Sequence, residues 1–355
     1  MINRECGIFK TTYQADMALY TVPLARITVA GFLAFFALIL PFILDVKHLV
    51  WANLVGINLV AALGLNLLVG FAGQISVGHA AFMAVGGYTA AIMTSRADMP
   101  FWVGLVGGGV FAAFYGLLVG LPSVRVKGFY LAIATLAAQF ITEWTVNHVR
   151  WIGGKGFQAS IIVPPAKLGG LVLDTEREKY FLILAIAIVA TVALLNIART
   201  RLGRAFVAIR DRDIAAEIMG VDIVRYKLLA FMISSFYAGV AGALWVYYLG
   251  NANIESFRIV ESINFLAMVI IGGLGSVLGT IFGAAFVTIL PLALEDILQN
   301  FKGVIPVSDI HSFVAHLRFA VFGGLIMLFL MVEPEGLNRL WRNIKDYFRV
   351  WPFPY

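Results

Sequence analysis

The chain has 355 residues, of which 61% are hydrophobic and only 13% charged, with a net charge of +6 and a mean hydropathy of +0.91. Soluble domains carry roughly 25% charged residues, so this composition excludes an ordinary soluble fold and describes a multi-pass membrane protein. The basic excess is not interleaved with aromatics in one patch, which argues against nucleic acid as a partner, and the single cysteine, Cys6, excludes an intrachain disulfide and a Cys/His zinc cluster.

Residues 1–26 form a polar tail containing Arg4, Glu5, Lys10 and Asp16. The first apolar run begins only after Arg26 and lacks a small-residue cleavage site, so it reads as a retained helix and not as a leader. Further apolar runs occupy 49–69, 74–94, 101–121, 128–142 (extendable to Asn147), 180–198, 228–249 and 317–332, uncharged but for Arg318 in the last, each long enough to be a helical crossing or nearly so. The run at 262–294 is too long for one crossing, and the IGGLGS sequence in its middle predicts a break into two. The expected fold is all-α: a polytopic transmembrane helical bundle of about ten crossings with glycine-broken segments. It occupies 27–332, with a tail at 333–355.

Orientation follows from the basic residues. With the N-terminus inside and every run crossing in turn, 16 Lys and Arg fall on the inner side and 10 outside. That bias agrees with the positive-inside rule. It places the 1–26 tail, the 199–227 loop and the 333–355 tail, with Arg339, Arg342, Lys345 and Arg349, in the cytoplasm. The outer side receives the longest external loop, 143–179, which contains GGKG (153–156), Pro164–Pro165 and the run DTEREK. That loop reads as a solvated connector or as a docking surface for an external partner.

Two glycine-rich stretches lie inside the apolar runs. The first, GLNLLVGFAGQISVGHAAFMAVGGY (64–88), carries Asn66, Gln74, Ser76 and His79 among its glycines. Small residues allow close helix approach in lipid, but that does not account for four polar side chains at membrane depth. Such groups face a protein interior or a water-filled cavity, and glycine-interrupted helices line transporter pathways. His79 reads either as a hydrogen-bonded packing residue or as a contact in such a path. The second stretch, IGGLGSVLGTIFG (271–283), carries Ser276 and Thr280. The candidate translocation path is therefore Asn66, Gln74, Ser76, His79 and Ser276.

No Walker A pattern, HExxH, GxSxG or paired intramembrane carboxylate occurs. The chain reads as a non-enzyme without a cofactor or metal, so active transport would need energy from another subunit or from an ion gradient. The one long charged stretch, 199–227, holds Arg199, Arg201, Arg204, Arg210, Arg212, Arg225 and Lys227 against Asp211, Asp213, Glu217 and Asp222. Helix-compatible segments at 205–212 and 214–219 flank the aspartates. Asp211 or Asp213 is placed to cap the second, and Gly220 to end it. A helix this short is marginal alone in water, which predicts tertiary or intersubunit packing; it reads as a coupling helix that fills a socket on another subunit or as a surface-lying cytoplasmic helix without a partner.

The stretch LGRAFVAIRDRDIAAEIMGVDIVRYKLLAFMISSFYAGVAGAL resembles the coupling region of branched-chain amino-acid permease subunits of bacterial ABC importers, the M-type in particular. The likeness continues in GLNLLVGFAGQISVGHAAFMAVGGYTAA, RVKGFYLAIATLAAQFI, ESINFLAMVIIGGLGSVLGTIFGAA and EPEGL, in order over about 55–337. The resemblance implies an inner-membrane permease paired with a paralogous H-type subunit, two ATP-binding cassette subunits and a periplasmic substrate-binding protein. It also implies an ATPase-coupling role for the loop, through Arg204, Arg210, Asp211, Asp213, Ala215, Ala216 and Gly220. In the wider importer class this loop reads Glu-Ala-Ala followed by glycine. Here Ile214 stands at the glutamate position and no Leu-Pro follows. A path with few fixed charges suits a zwitterionic amino acid, and urea or a small amide equally well. An ion-coupled secondary transporter and a membrane anchor for a signalling protein are the competing readings.

Overall fold

The computed structural model describes residues 34–122, 126, 128–153, 160–168, 171–300 and 336–350, with scattered positions in 11–31 and 317–331. Cys6, most of the 1–26 tail, half of the last apolar run, and most of GGKG and EPEGL lie outside the described residues, whereas the first run is described from residue 34 on, as a π-helical turn (Phe35–Ile39) and a short helical turn (Leu40–Ile43). The helices are α1 (Val46–Asn66), continued by a π-helical turn at Leu67–Phe71, α2 (His79–Ser95), α3 (Phe101–Gly120), α4 (Phe129–His148) and α5 (Glu176–Arg199). Then come α6 (Arg201–Asp211), α7 (Asp213–Ile218), α8 (Ile223–Leu249), α9 (Ile259–Gly272), α10 (Val277–Asn300) and α11 (Leu337–Val350).

The chain is an α-helical, multi-pass membrane protein. Among the described residues, six helices are long and apolar enough to cross a bilayer: α1 with its π-helical extension, α3, α4, α5, α8, and α10 as far as Ile297. The 17-residue α2 and the 14-residue α9 are shorter than a standard crossing. The 128–142 run extends past 142 to His148, and the long run is split, α9 ending at Gly272 and α10 starting at Val277.

The centre of the bundle is α2, α3 and α8, joined through small residues. A Cβ on Gly239 of α8 would lie 2.6 Å from the Gly108 carbonyl oxygen and 3.0 Å from Gly109 Cα of α3. Close backbone approach substitutes for the missing hydrophobic drive between helices in lipid. Large side chains fill the remaining interior, including Phe82, Tyr88, Phe231, Phe257 and Phe265. The outward faces of α3, α4 and α5 expose Phe111, Phe114, Leu118, Phe140, Ile141 and Val189, as a lipid-facing surface does.

α1 packs between this centre and α5, and the end of the bundle away from the charged loop is tied by polar groups. Buried Asn53 donates to Glu176 Oε2 at 3.1 Å, and the Tyr248 hydroxyl donates to the same oxygen at 2.9 Å. Lys47 pairs with Asp296. α5 starts with a capping box, in which the Thr175 backbone N–H donates to Glu178 Oε2 at 3.1 Å.

The same end carries the only strands among the described residues. Four two-residue strands form two antiparallel ribbons: β1 (Ile161–Ile162) with β4 (Asn251–Ala252), and β2 (Lys167–Leu168) with β3 (Leu171–Val172). The 143–179 segment is therefore partly α4, which runs to His148, and partly this ribbon. β4 follows directly on α8, whose 27 residues span about 40 Å at 1.5 Å per residue. The ribbons and the charged loop are thus at opposite ends of the protein.

Candidate functional site: a polar junction under the charged loop

α1 does not end in an ordinary cap. Its last turn widens into the π-helix at Leu67–Phe71, and the chain then turns at Gly73, whose φ of +66° favours glycine, before α2 begins at His79. In the other half, α9 stops at Gly272, and Gly273 and Gly275 take positive φ before α10 begins. The two breaks meet. Buried Asn66 donates from Nδ2 to the Ser276 carbonyl at 3.1 Å and to Thr280 Oγ1 at 2.7 Å. Its Oδ1 accepts from the Gly275 backbone N–H at 2.9 Å. One amide thus satisfies backbone groups that the second break leaves outside its helices. Ser276 Oγ accepts from the Gly279 N–H at 3.0 Å, in the manner of an N-cap.

The charged loop reaches this junction. Arg210, on α6, donates from Nη1 to the Gly70 carbonyl at 2.8 Å and pairs with Asp211 at 2.9 Å. A Cβ on Gly73 would stand 2.8 Å from Arg210 Cγ, and one on Gly275 would stand 3.2 Å from Arg210 Nη1. Both breaks therefore lie against a single arginine. The resemblance implies an ATPase-coupling role for Arg210; in the structure one guanidinium nitrogen is held by the Gly70 carbonyl while the side chain remains partly exposed.

The rest of the loop divides in two. α6 is anchored: Phe206 is buried and meets Tyr226 edge to face at 6.3 Å, and Arg204 donates to the Arg199 carbonyl at 3.1 Å. α7 is displayed. Ile214, Ile218 and Met219 are 69%, 80% and 83% exposed, while Ala216 is buried and Ala215 exposed. Gly220 ends the helix with φ +85°, as expected. Asp211 and Asp213 do not cap α7 at its N-cap. That position is Arg212, without a side-chain cap, and Asp213 is the first helical residue, its Oδ1 accepting from the Ile214 N–H at 2.9 Å.

The remaining path residues form a second group beyond the junction. His79 is wholly buried, its Nε2 lies 3.0 Å from the Ala61 carbonyl oxygen, and its ring stands edge-on to Phe82 and Phe265. Gln74 Nε2 approaches the Lys227 carbonyl at 3.5 Å. Gln74 Oε1, Ser76 Oγ and His79 Nδ1 are buried without a protein partner.

Three further buried residues join this group unforeseen. Thr135 Oγ1 accepts from the Val77 N–H at 3.0 Å and Ser262 Oγ from the Ala80 N–H at 2.9 Å, while Gln139 lies 3.5 Å from Ser262 and donates to the Phe257 carbonyl at 2.7 Å. They hold the ends of the first break against α4 and α9. Their signal in the sequence was polarity inside otherwise apolar runs, the criterion that selected Asn66. No group of three or more potential metal-binding side chains occurs among the described residues.

These features define a multi-pass membrane protein whose interior is interrupted by two hydrogen-bonded helix breaks and a cluster of neutral polar groups. Residues 48–331 match the family described as branched-chain amino acid transport system / permease component. The chain belongs to that family. It is 32% identical over 310 residues to the high-affinity branched-chain amino acid transport system permease protein LivM of Escherichia coli K12, covering 81% of this chain and 68% of that one. It is 26% identical over 239 residues to the probable LivM of Methanocaldococcus jannaschii, covering 64% of this chain and 66% of that one. Similarity extends to LivH of Escherichia coli K12, at 23% identity over 292 residues, 78% of this chain and 89% of that one. No solved structure matches significantly.

Proposed function

We propose that this chain is the M-type permease subunit of an ABC importer for branched-chain amino acids in the bacterial inner membrane. It pairs there with an H-type paralogue, which the likeness to LivH supports. Two ATP-binding cassette subunits dock on the cytoplasmic loop, and a periplasmic binding protein delivers substrate at the ribbon end. With the short helices α2 and α9 and the outer runs at 27–44 and 317–332 counted beside the six long helices, the bundle makes about ten crossings.

The observation that carries the mechanism is the contact between Arg210 and the Gly70 carbonyl. α7 offers Ile214, Ile218 and Met219 to a groove on the ATPase, and α6 transmits the displacement. Arg210 is both part of α6 and bonded to the first break, so movement of α6 shifts the Gly70 carbonyl and, through Asn66, the second break. Breaks are suited to this because their glycines hold backbone conformations that a small torsional change can exchange. The path beyond them is lined by neutral polar groups, Gln74, Ser76 and His79, which can pair in turn with the ammonium and carboxylate of a zwitterion without trapping either.

The test is reconstitution of this chain with the H-type subunit, both ATPases and the binding protein in proteoliposomes. Uptake of labelled leucine, isoleucine or valine should require ATP inside and binding protein outside. Uptake that follows a proton or sodium gradient without ATP would overturn the proposal, as would uptake of urea or small amides in place of amino acids.

A further inference from the structure

The final described helix, α11, is not accounted for by transport. It begins where Gly336 (φ +69°) abuts the second break: a Cβ there would stand 2.6 Å from the Ile271 carbonyl oxygen and 2.7 Å from the Gly273 N. Its first turn leans on α10. Asn338 Cβ faces Gly279, and the Trp341 ring lies 5.7 Å from that of Phe282. α11 therefore starts at the same end of the bundle as Arg210 and the charged loop. Beyond these contacts its described apolar side chains stand largely exposed.

Its residues divide cleanly at helical spacing. Leu337, Leu340, Trp341, Ile344 and Tyr347 recur on one face, and Arg339, Arg342, Lys345 and Asp346 on the other. The apolar face is open: Leu340, Trp341, Ile344 and Tyr347 are 42%, 49%, 49% and 63% exposed. A soluble surface helix turns such a face toward its core. A crossing helix would drag four cations, Arg339, Arg342, Lys345 and Arg349, into hydrocarbon, which is strongly disfavoured. One position satisfies both faces, flat in the boundary between acyl chains and headgroups, with Trp341 and Tyr347 at the level where amphipathic aromatic rings partition. The sign of the exposed charge then selects the lipid.

We propose that α11 is an in-plane membrane helix, its apolar face sunk in the leaflet on the charged-loop side and its Arg339, Arg342 and Lys345 face engaging anionic phospholipid headgroups. The inference holds whatever solute the protein carries. Because Gly336 seats the helix on the second break, α11 fixes the depth of that break relative to the leaflet.

The test uses the full chain with Cys6→Ser and a spin label on Ile344→Cys, reconstituted in bilayers of phosphatidylethanolamine with phosphatidylglycerol. The label should collide readily with oxygen and be shielded from a water-soluble nickel chelate. A label on Arg342→Cys should show the reverse. Replacing phosphatidylglycerol with phosphatidylcholine, or combining Arg339→Gln and Lys345→Gln with the labelled Ile344→Cys, should raise nickel collisions at position 344 several-fold. Nickel access at 344 that is high and equal in both bilayers would overturn the proposal. So would shielding from both reagents in the assembled transporter, which would put a protein on that face. The lipid exchange keeps the test valid even if the charge variants fold poorly.

Discussion

Glycine is used in two ways in this bundle, and the two regions behave as different mechanical parts. Between α2, α3 and α8 the glycines lie inside unbroken helices, and Gly239 brings the α8 backbone against Gly108 and Gly109. Beyond one hydrogen bond at 2.9 Å between the Thr94 and Tyr247 hydroxyls of α2 and α8, little that is directional holds these surfaces together. They are joined by close packing, in which any added or displaced atom overlaps a neighbour. At 67–79 and 272–277 the glycines lie between helices, and the joining is done by a few hydrogen bonds, to Asn66, Thr280 and Arg210. Each is worth about 0.6–2 kcal/mol in a membrane protein, little enough to be exchanged by the coupling proposed above. The packed trio is a post, and the junction is a joint mounted on it.

The largest expected effect comes from breaking the post. Gly239→Leu forces a branched side chain into the Gly108 carbonyl, and overpacking of this kind costs about 1–3 kcal/mol even where neighbours can yield. Here the obstacle is backbone. The variant should fail to accumulate as a monodisperse protein in detergent, and a normal melting temperature would contradict the packing account.

A smaller effect should follow at the input to the joint. Ile218 is 80% exposed on α7, and Ile218→Asp should leave the permease folded while losing about 2 kcal/mol or more of ATPase affinity, the scale of an interface hot spot. Retention of the ATPase on the affinity-purified variant measures this. Undiminished copurification would remove α7 from the interface.

A modest change in stability is expected inside the joint. Asn66→Ala deletes three hydrogen bonds and should lower stability by about 1–3 kcal/mol, far less than Gly239→Leu, yet reduce transport severely. Thr280→Val should do part of the same, and the double variant should show a coupling energy between the two sites. Additive losses would mean that Asn66 and Thr280 do not act together.

Much of this arrangement could be read from the residues, and the exceptions share a cause. Uncharged run lengths located the long helices, and glycine clusters located both breaks, because these are local properties. The end of α7 at Gly220 was legible for the same reason. The contact of Arg210 was not, since its partner Gly70 is 140 residues away, and a charge in a polar loop carries no mark of the carbonyl it meets. Thr135, Gln139 and Ser262 were missed because each is a single polar residue in an apolar helix. Only the packing of α4 and α9 against the first break shows what they bind. The apolar display of α7 was obscured by its charged neighbours, because exposure is decided by where α6 docks.

The most direct measurement is made on Arg210→Ala in the complete reconstituted transporter, reading ATP hydrolysis and leucine uptake together. If the loop drives the helix breaks through the Gly70 carbonyl, the complex should assemble and hydrolyse ATP at its basal rate. Uptake per ATP should collapse, and loaded binding protein should no longer stimulate hydrolysis. Wild-type uptake per ATP in the variant would contradict the account.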